Sequence, residues 1–183
     1  MKREKLPSRE ECIAMFDEFD VPENVRAHSF MVNKVSVFLA QKLKEAGEDV
    51  DVDLVDRASL LHDLDKIPTL HNHKHGHISL EILEKKGHKR VGEVIKKHVF
   101  HDILDEGLKT WEEKIVSYAD KICQEDYIVS LDKRFAYGRK KYAHFQSPRT
   151  REAEELYFRL EKEIFEKIKM TPEQLRQVFR RLC

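Results

Sequence analysis

The segment from Leu60 to Ile78, "LLHDLDKIPTLHNHKHGHI", runs an apolar stretch into a His-Asp pair and then adds four more histidines. Eight of the ten histidines lie between His62 and His101, a clustering that composition alone does not produce. Two readings compete. One is a metal site, since imidazole nitrogen and carboxylate oxygen are ligands of borderline divalent cations; the other is a His-rich surface loop. A His-Asp dipeptide decides nothing by itself, because about one is expected by chance at this composition, and the chain holds two, His62-Asp63 and His101-Asp102. Their surroundings differ. His62 falls on the inner stripe of a helix, four residues after Ala58, with Asp63 where that helix ends. Burying such a pair without partners costs on the order of several kcal/mol. His101-Asp102 follows "HVF" and leads into the polar "DEG", which reads as surface. His28 shares an apolar face with Val32, Val35 and Leu39, and Asp120 sits between Ala119 and Ile122. Each of these two, taken alone, has a plainer account: a core histidine with one backbone hydrogen bond, and a helix-packing or capping aspartate. Taken together, three separate apolar helices each present ligand-type residues on the inner side, which is how helical bundles build metal sites.

The elements that must position these residues are helices. Ser8 with Glu11 makes a capping box that opens a first helix through about Phe19. Pro22 starts a second, which runs to about Ala46 and is stopped by Gly47; its inner face reads His28, Met31, Val32, Val35, Phe38, Leu39 and Leu43. A third spans about Asp53 to Asp63, with Leu54, Val55, Ala58, Leu61 and His62 on one face. Pro68 ends it, and "IPTLHNHKHG" reads as a loop. "HISLEILEKKG" and "HKRVGEVIKKHVF" give two shorter helices separated at Gly87. Thr110 and Glu113 form another capping box before "TWEEKIVSYADKICQED". "SLDKRFAYGRKKYAHF" follows, then two segments with Ser-Pro and Thr-Pro starts. No strand signal competes strongly and no internal repeat is present. The expectation is an all-α helical bundle of one domain over residues 1–183.

With 34 basic and 34 acidic residues the formal charge is zero, so no global field draws the chain to nucleic acid or an acidic membrane. No apolar run approaches the ~20 residues that span a bilayer. Cys12, Cys123 and Cys183 are far apart and form no C-x-x-C pair, which predicts a reduced, cytoplasmic protein without a disulfide framework or a cysteine zinc site. There is no Walker sequence, G-x-G-x-x-G, G-x-S-x-G or H-E-x-x-H, which removes the main competing hydrolase and nucleotide-fold readings.

The order His28, His62-Asp63, Asp120, with "HS" opening an apolar helix, "LLHDLDK" in the middle and "YADKI" late, resembles the HD superfamily of metal-dependent phosphohydrolases. The resemblance covers roughly residues 22 to 128, so residues 129–183 would be C-terminal helices packed on an HD core. "LLHDLDK" departs from the more usual H-D-I-G-K form: Leu64 and Asp65 stand where Ile and Gly are usual, while Lys66 is kept. Asp65 thereby adds a negative charge near the site. The resemblance implies that His28, His62, Asp63 and Asp120 ligate one divalent cation, an N/O set suited to Mn, Fe, Co, Ni, Zn or Mg. His77 and His98 fit the additional histidines of two-metal branches of the superfamily, in which Asp63 would bridge the two ions. Their plainer readings are a loop-to-helix junction for His77 and a helix C-terminus for His98, and the one-ion and two-ion forms stand side by side. His71, His73 and His75 alternate along the loop and read as mouth or surface residues with at most loose metal affinity, and like His101 they receive no role.

Two carboxylates cancel one divalent ion, so a phosphate substrate needs further cations, with Lys66 first among them and a second ion the stronger source. In either form the metal lowers the pKa of bound water toward ~7 and makes hydroxide available for in-line attack on phosphorus. The expected function is a phosphohydrolase cleaving a phosphomonoester or phosphoanhydride of a small phosphorylated compound, a nucleotide foremost, with Asp63 and Lys66 as catalytic residues. The alternative is a non-catalytic regulatory module binding a nucleotide or metal. In "SLDKRFAYGRKKYAHF", Lys133, Arg134, Arg139, Lys140 and Lys141 interleave with Phe135, Tyr137 and Tyr142. A solvated basic helix face is the blander account, and a grip on a nucleotide's phosphates and base is the other. Leu156, Leu160, Ile164 and Ile168 make a stripe for core packing, with a homodimer interface as second choice.

Overall fold

Both capping boxes form. Ser8 Oγ accepts from Glu11 N while the Glu11 carboxylate accepts from Ser8 N, opening α1 (Arg9–Glu18), and Thr110 with Glu113 opens α7 (Trp111–Ile122) in the same way. The computed structural model describes residues 4–69 and 74–180, and their regular secondary structure is almost entirely helical. His71 and His73 lie outside the described residues, as does the side chain of His101. The long α2 (Glu23–Glu45) starts after Pro22 and ends just ahead of Gly47, whose φ of 90° suits only glycine without strain. Next come α3 (Val52–Leu61), α4 (His77–Lys85), α5 (Lys89–Lys96) and α6 (Phe100–Glu106). After α7, a two-stranded antiparallel hairpin of β1 (Cys123–Gln124) and β2 (Tyr127–Ile128) leads into α8 (Leu131–Lys141). A 3₁₀ turn (Ala143–Gln146), α9 (Pro148–Ile168) and α10 (Pro172–Arg180) complete the chain.

Three features differ from the sequence reading. Helix α3 ends at Leu61, and the chain continues through 62–69 in successive turns, with Leu64 N donating to Leu61 O and Lys66 N to Asp63 O. His62 and Asp63 therefore sit on a bend, where adjacent side chains can reach one point. Second, "FHDILDE" is a helix, and Asp102, expected at the surface, is buried. Ile103 is fully enclosed and the Phe100 ring meets those of Phe135, Phe145 and Tyr157, so the apolar residues draw this turn inward. Third, the hairpin had no strand signal. It is a tight reversal at Glu125, which adopts a φ of 55°.

Helix α2 packs on α3, α7 and α9, and α3 packs on α5 and α7. The contacts include the anticipated stripes of α2 and α3, and Val32, Val35, Leu39, Leu43, Val55, Ala58 and Leu61 have no exposed surface; nor do Ile115, Val116 and Ala119 of α7. Each large aliphatic among them contributes roughly 1.5–3 kcal/mol on burial. Tyr157, Leu160, Ile164, Phe165 and Ile168 of α9 join the same core. Helices α4 and α5 approach closely at Gly92, where a Cβ would come within 2.8 Å of Leu80 Cα. Among the described residues, no helix is long and apolar enough to cross a membrane, and Cys12 and Cys123 are free and buried.

Candidate metal centre

Helices α2, α3 and α7 are mutual neighbours, so His28, the His62-Asp63 bend and Asp120 meet inside the bundle. The imidazoles share one pattern. His28 Nδ1 lies 3.0 Å from Glu125 O, on the unanticipated hairpin. His62 Nδ1 lies 2.9 Å from Ser59 O and His98 Nδ1 2.6 Å from Ile95 O. A carbonyl can only accept, so each Nδ1 carries a proton, which leaves Nε2 as the nitrogen that can offer a lone pair to an ion. The three Nε2 atoms turn toward two carboxylates. His28 Nε2 is 3.1 Å from Asp120 Oδ1; His62 Nε2 is 3.6 Å from the same oxygen and 3.7 Å from Asp63 Oδ2; His98 Nε2 is 3.9 Å from Asp63 Oδ1. His62 Nε2 is buried with no hydrogen-bond partner among the described residues. Lone pairs facing carboxylate oxygens repel unless a proton or a metal cation lies between them, and His62 Nε2 has no hydrogen-bond partner to share a proton with among the described residues. The donor set therefore fits a divalent ion, and fixing Nδ1 by an outer oxygen is the usual support of a metal-binding histidine.

Electrostatics point the same way. Burial would raise the carboxyl of Asp63, yet Lys66, His62 and His75 hold it well below the ordinary range. Asp120 is likewise kept ionised against its burial by Lys121, His28 and His62. Burial opposes protonation of His28, but its hydrogen bond to Asp120 raises it. Burial, with His75 and His62 nearby, pushes His98 down to about 3, so it stays neutral. Lys66 Nζ lies 3.1 and 3.2 Å from the two oxygens of Asp63, and the Lys121 ammonium pairs with Asp120.

His77 does not join this cluster. Its Nε2 pairs with Asp102 Oδ2 at 3.1 Å, and it is His75 that completes a group with Asp63 and His98. His75 Nε2 lies 3.0 Å from both Asp63 Oδ1 and His98 Nε2. The ligand atoms of His28, His62 and Asp63, and separately those of Asp63, His75 and His98, all lie within 4.8 Å of one another. The turn at Gly76, with φ 80°, separates the two histidines: His75 stays on the inner side while His77 becomes the first residue of α4.

Asp65 governs this arrangement. It is fully buried; one oxygen lies 2.8 Å from His75 Nδ1, and the other accepts Ser79 N at 2.9 Å. Gly76 has no side chain to cap α4, so Asp65 satisfies a first-turn amide from outside the helix. Burial alone would depress His75, but hydrogen bonds to Asp63 and Asp65 raise it to about 9. The additional charge noted in "LLHDLDK" is thus directed at His75 and α4. Asp65→Asn, which cannot serve both donors equally, is expected to weaken metal affinity ~10–100-fold with helical content retained. Metal titration by calorimetry checks this, and an unchanged affinity would detach Asp65 from the centre.

Above the cluster opens a cavity of about 490 Å³ whose walls include Lys66, Lys121, Arg134, Tyr137, Lys141 and Tyr142. Its volume is that of a small-molecule site.

Comparison with known proteins matches the HD domain family model to residues 25–124. An uncharacterized protein of Methanocaldococcus jannaschii is 34% identical over 123 residues, covering 60% of this chain and 72% of that protein. A tRNA (cytidine(56)-2'-O)-methyltransferase of Picrophilus torridus is 28% identical over 139 residues, covering 69% of this chain and 39% of that enzyme. No solved structure matches significantly.

Proposed function

Because this chain belongs to the HD domain family, we propose that it is a metal-dependent phosphohydrolase cleaving a phosphomonoester or phosphoanhydride of a small phosphorylated compound, a nucleotide foremost. The observation that carries this reading is the convergence of three imidazole Nε2 atoms on Asp63 and Asp120, with His62 Nε2 left without a partner among the described residues. His28, His62, Asp63 and Asp120 would hold one ion; His75 and His98, with Asp63 shared, would hold a second. The ion supplies acidified water and attraction for phosphoryl charge. The chain's own groups do the rest. Lys66 holds the Asp63 carboxylate, and an ion bound by Asp63 would leave its ammonium available to a phosphoryl oxygen. Lys121, anchored on Asp120 with its Nζ 4.8 Å from the Phe100 ring centre, brings positive charge to the cavity's inner wall.

A similar segment lies within a larger relative named for tRNA methylation, and this favours a second reading, a nucleotide-binding module without turnover. It also offers RNA as a competing ligand, against which the zero net charge weighs.

Elemental analysis per chain and a phosphate-release screen with Mn, Co, Ni and Mg test the proposal. The expected outcome is one or two ions per chain and metal-dependent release of phosphate from nucleotides. A folded chain that takes up no divalent ion and releases no phosphate would end it, whereas nucleotide binding without product would favour the module.

A further inference from the structure

Helix α8 lies beyond the family match, which ends at residue 124, yet it forms one wall of the cavity above the histidine–aspartate cluster. Four cationic side chains line that cavity, Lys66, Lys121, Arg134 and Lys141, against the carboxylates of Asp63, Asp120 and Glu125. Lys66 and Lys121 are each paired with an aspartate, and Lys141 donates to Tyr137 Oη at 2.9 Å. Arg134 differs. Its guanidinium makes no ion pair with any described residue, and its Nε is buried without a hydrogen-bond partner among them. Other half-buried arginines are matched: Arg26 with Asp17, Arg57 with Asp56 and Arg176 with Glu173. Leaving an enclosed guanidinium donor unsatisfied is costly, and its planar fork suits a phosphate with two parallel hydrogen bonds. Tyr137 and Tyr142 stand on the same wall, with Lys141 Nζ 5.3 and 5.5 Å from their ring centres.

We propose that Arg134 is the specificity-determining residue that grips the substrate's phosphate, and that Tyr137 and Tyr142 beside it receive the base, which makes the ligand a nucleoside monophosphate. This deepens the phosphohydrolase reading and rests on it for the choice of phosphate over other anions. It also assigns a role to the basic and aromatic residues of "SLDKRFAYGRKKYAHF".

The test uses the full chain, metal-free and Mn-loaded, with inorganic phosphate and adenosine 5'-monophosphate as probes in calorimetric titrations. Arg134→Gln is expected to weaken both probes by about tenfold or more, the loss of one charge-assisted hydrogen-bonding partner. Arg134→Lys should recover part of that affinity, and bound metal per chain should not change in either variant. Where nucleotide turnover is present, KM rises with kcat held within about threefold. A measurement that needs no variant accompanies these: phosphate should slow phenylglyoxal modification of Arg134 in the wild-type chain, followed by mass spectrometry. Equal affinities in wild type and Arg134→Gln, no binding of either probe by the wild type, or an unaltered modification rate would overturn the inference. Turnover with unaltered phosphate affinity in Arg134→Gln sinks this inference alone. Weakened binding in a chain that never turns over supports it and sinks the phosphohydrolase reading.

Discussion

Asp63→Ala is expected to give a helical chain that retains no divalent ion and has lost nearly all phosphate release. Asp63 is the carboxylate common to both ligand groups, so its removal leaves imidazoles alone on one side and strips the shared negative charge from both. An ion's stabilisation of phosphoryl charge amounts to several kcal/mol, and each ~1.36 kcal/mol is a factor of ten. The rate should therefore fall by about a thousandfold or more. The fold should survive because the partners left behind have other places to go. The Lys66 side chain is 42% exposed and can turn to water, and His75 keeps its hydrogen bond to Asp65. Removing one member of a buried charge pair costs roughly 3–5 kcal/mol, within the ~5–15 kcal/mol of an ordinary domain. Asp63→Asn, which preserves volume, should show the same loss of metal with a smaller cost in stability. Elemental analysis, circular dichroism and phosphate release on each variant check these outcomes. Full metal content, or turnover within tenfold of wild type, would remove Asp63 from the centre.

The parts of the candidate centre carried on a helix or at its C-terminal cap were legible in the sequence. His28, His62 and Asp120 each occupy a position in a 3.6-residue apolar stripe, and a stripe fixes which way a side chain faces before any neighbour is known. Capping residues located α1 and α7 for the same reason: the signal is local. What escaped was set by contacts between distant segments. His75 and His77 are indistinguishable by type and both stand at a loop end; the turn at Gly76, and Asp65 reaching across to Ser79, decide between them. The sequence did hold one clue, the aspartate at a position where the family pattern usually has glycine, since a buried carboxylate needs donors and a loop histidine is one. The burial of Asp102 was hidden by a short helix without a capping residue at Val99, although Phe100 and Ile103 are spaced to share a face. Arg134 showed only as part of a basic stretch. That it has no counter-ion among the described residues is a property of the packed chain and has no signature in spacing.

The choice between His75 and His77 leads to the second large effect. His75→Gln is expected to remove one ion per chain where two are bound and to lower phosphate release by about a hundredfold or more, because the group with Asp63 and His98 loses the imidazole closest to both. Glutamine retains a polar side chain but cannot present a ring nitrogen whose orientation is fixed from behind by Asp65. His77→Gln should leave metal content and turnover near wild type. The His77 side chain is 44% exposed, and although its partner Asp102 is buried, a glutamine amide can still donate to that carboxylate and Lys96 lies 3.8 Å from it, so the substitution should cost no more than roughly 1–3 kcal/mol. Metal analysis and phosphate release on the two variants, side by side, distinguish the geometries. If His77→Gln lost the ion and His75→Gln kept it, the chain would have to turn at Gly76 in the opposite sense when loaded. Asp65 would then surrender either His75 or the α4 amide, and with it the hydrogen bond that holds the start of that helix.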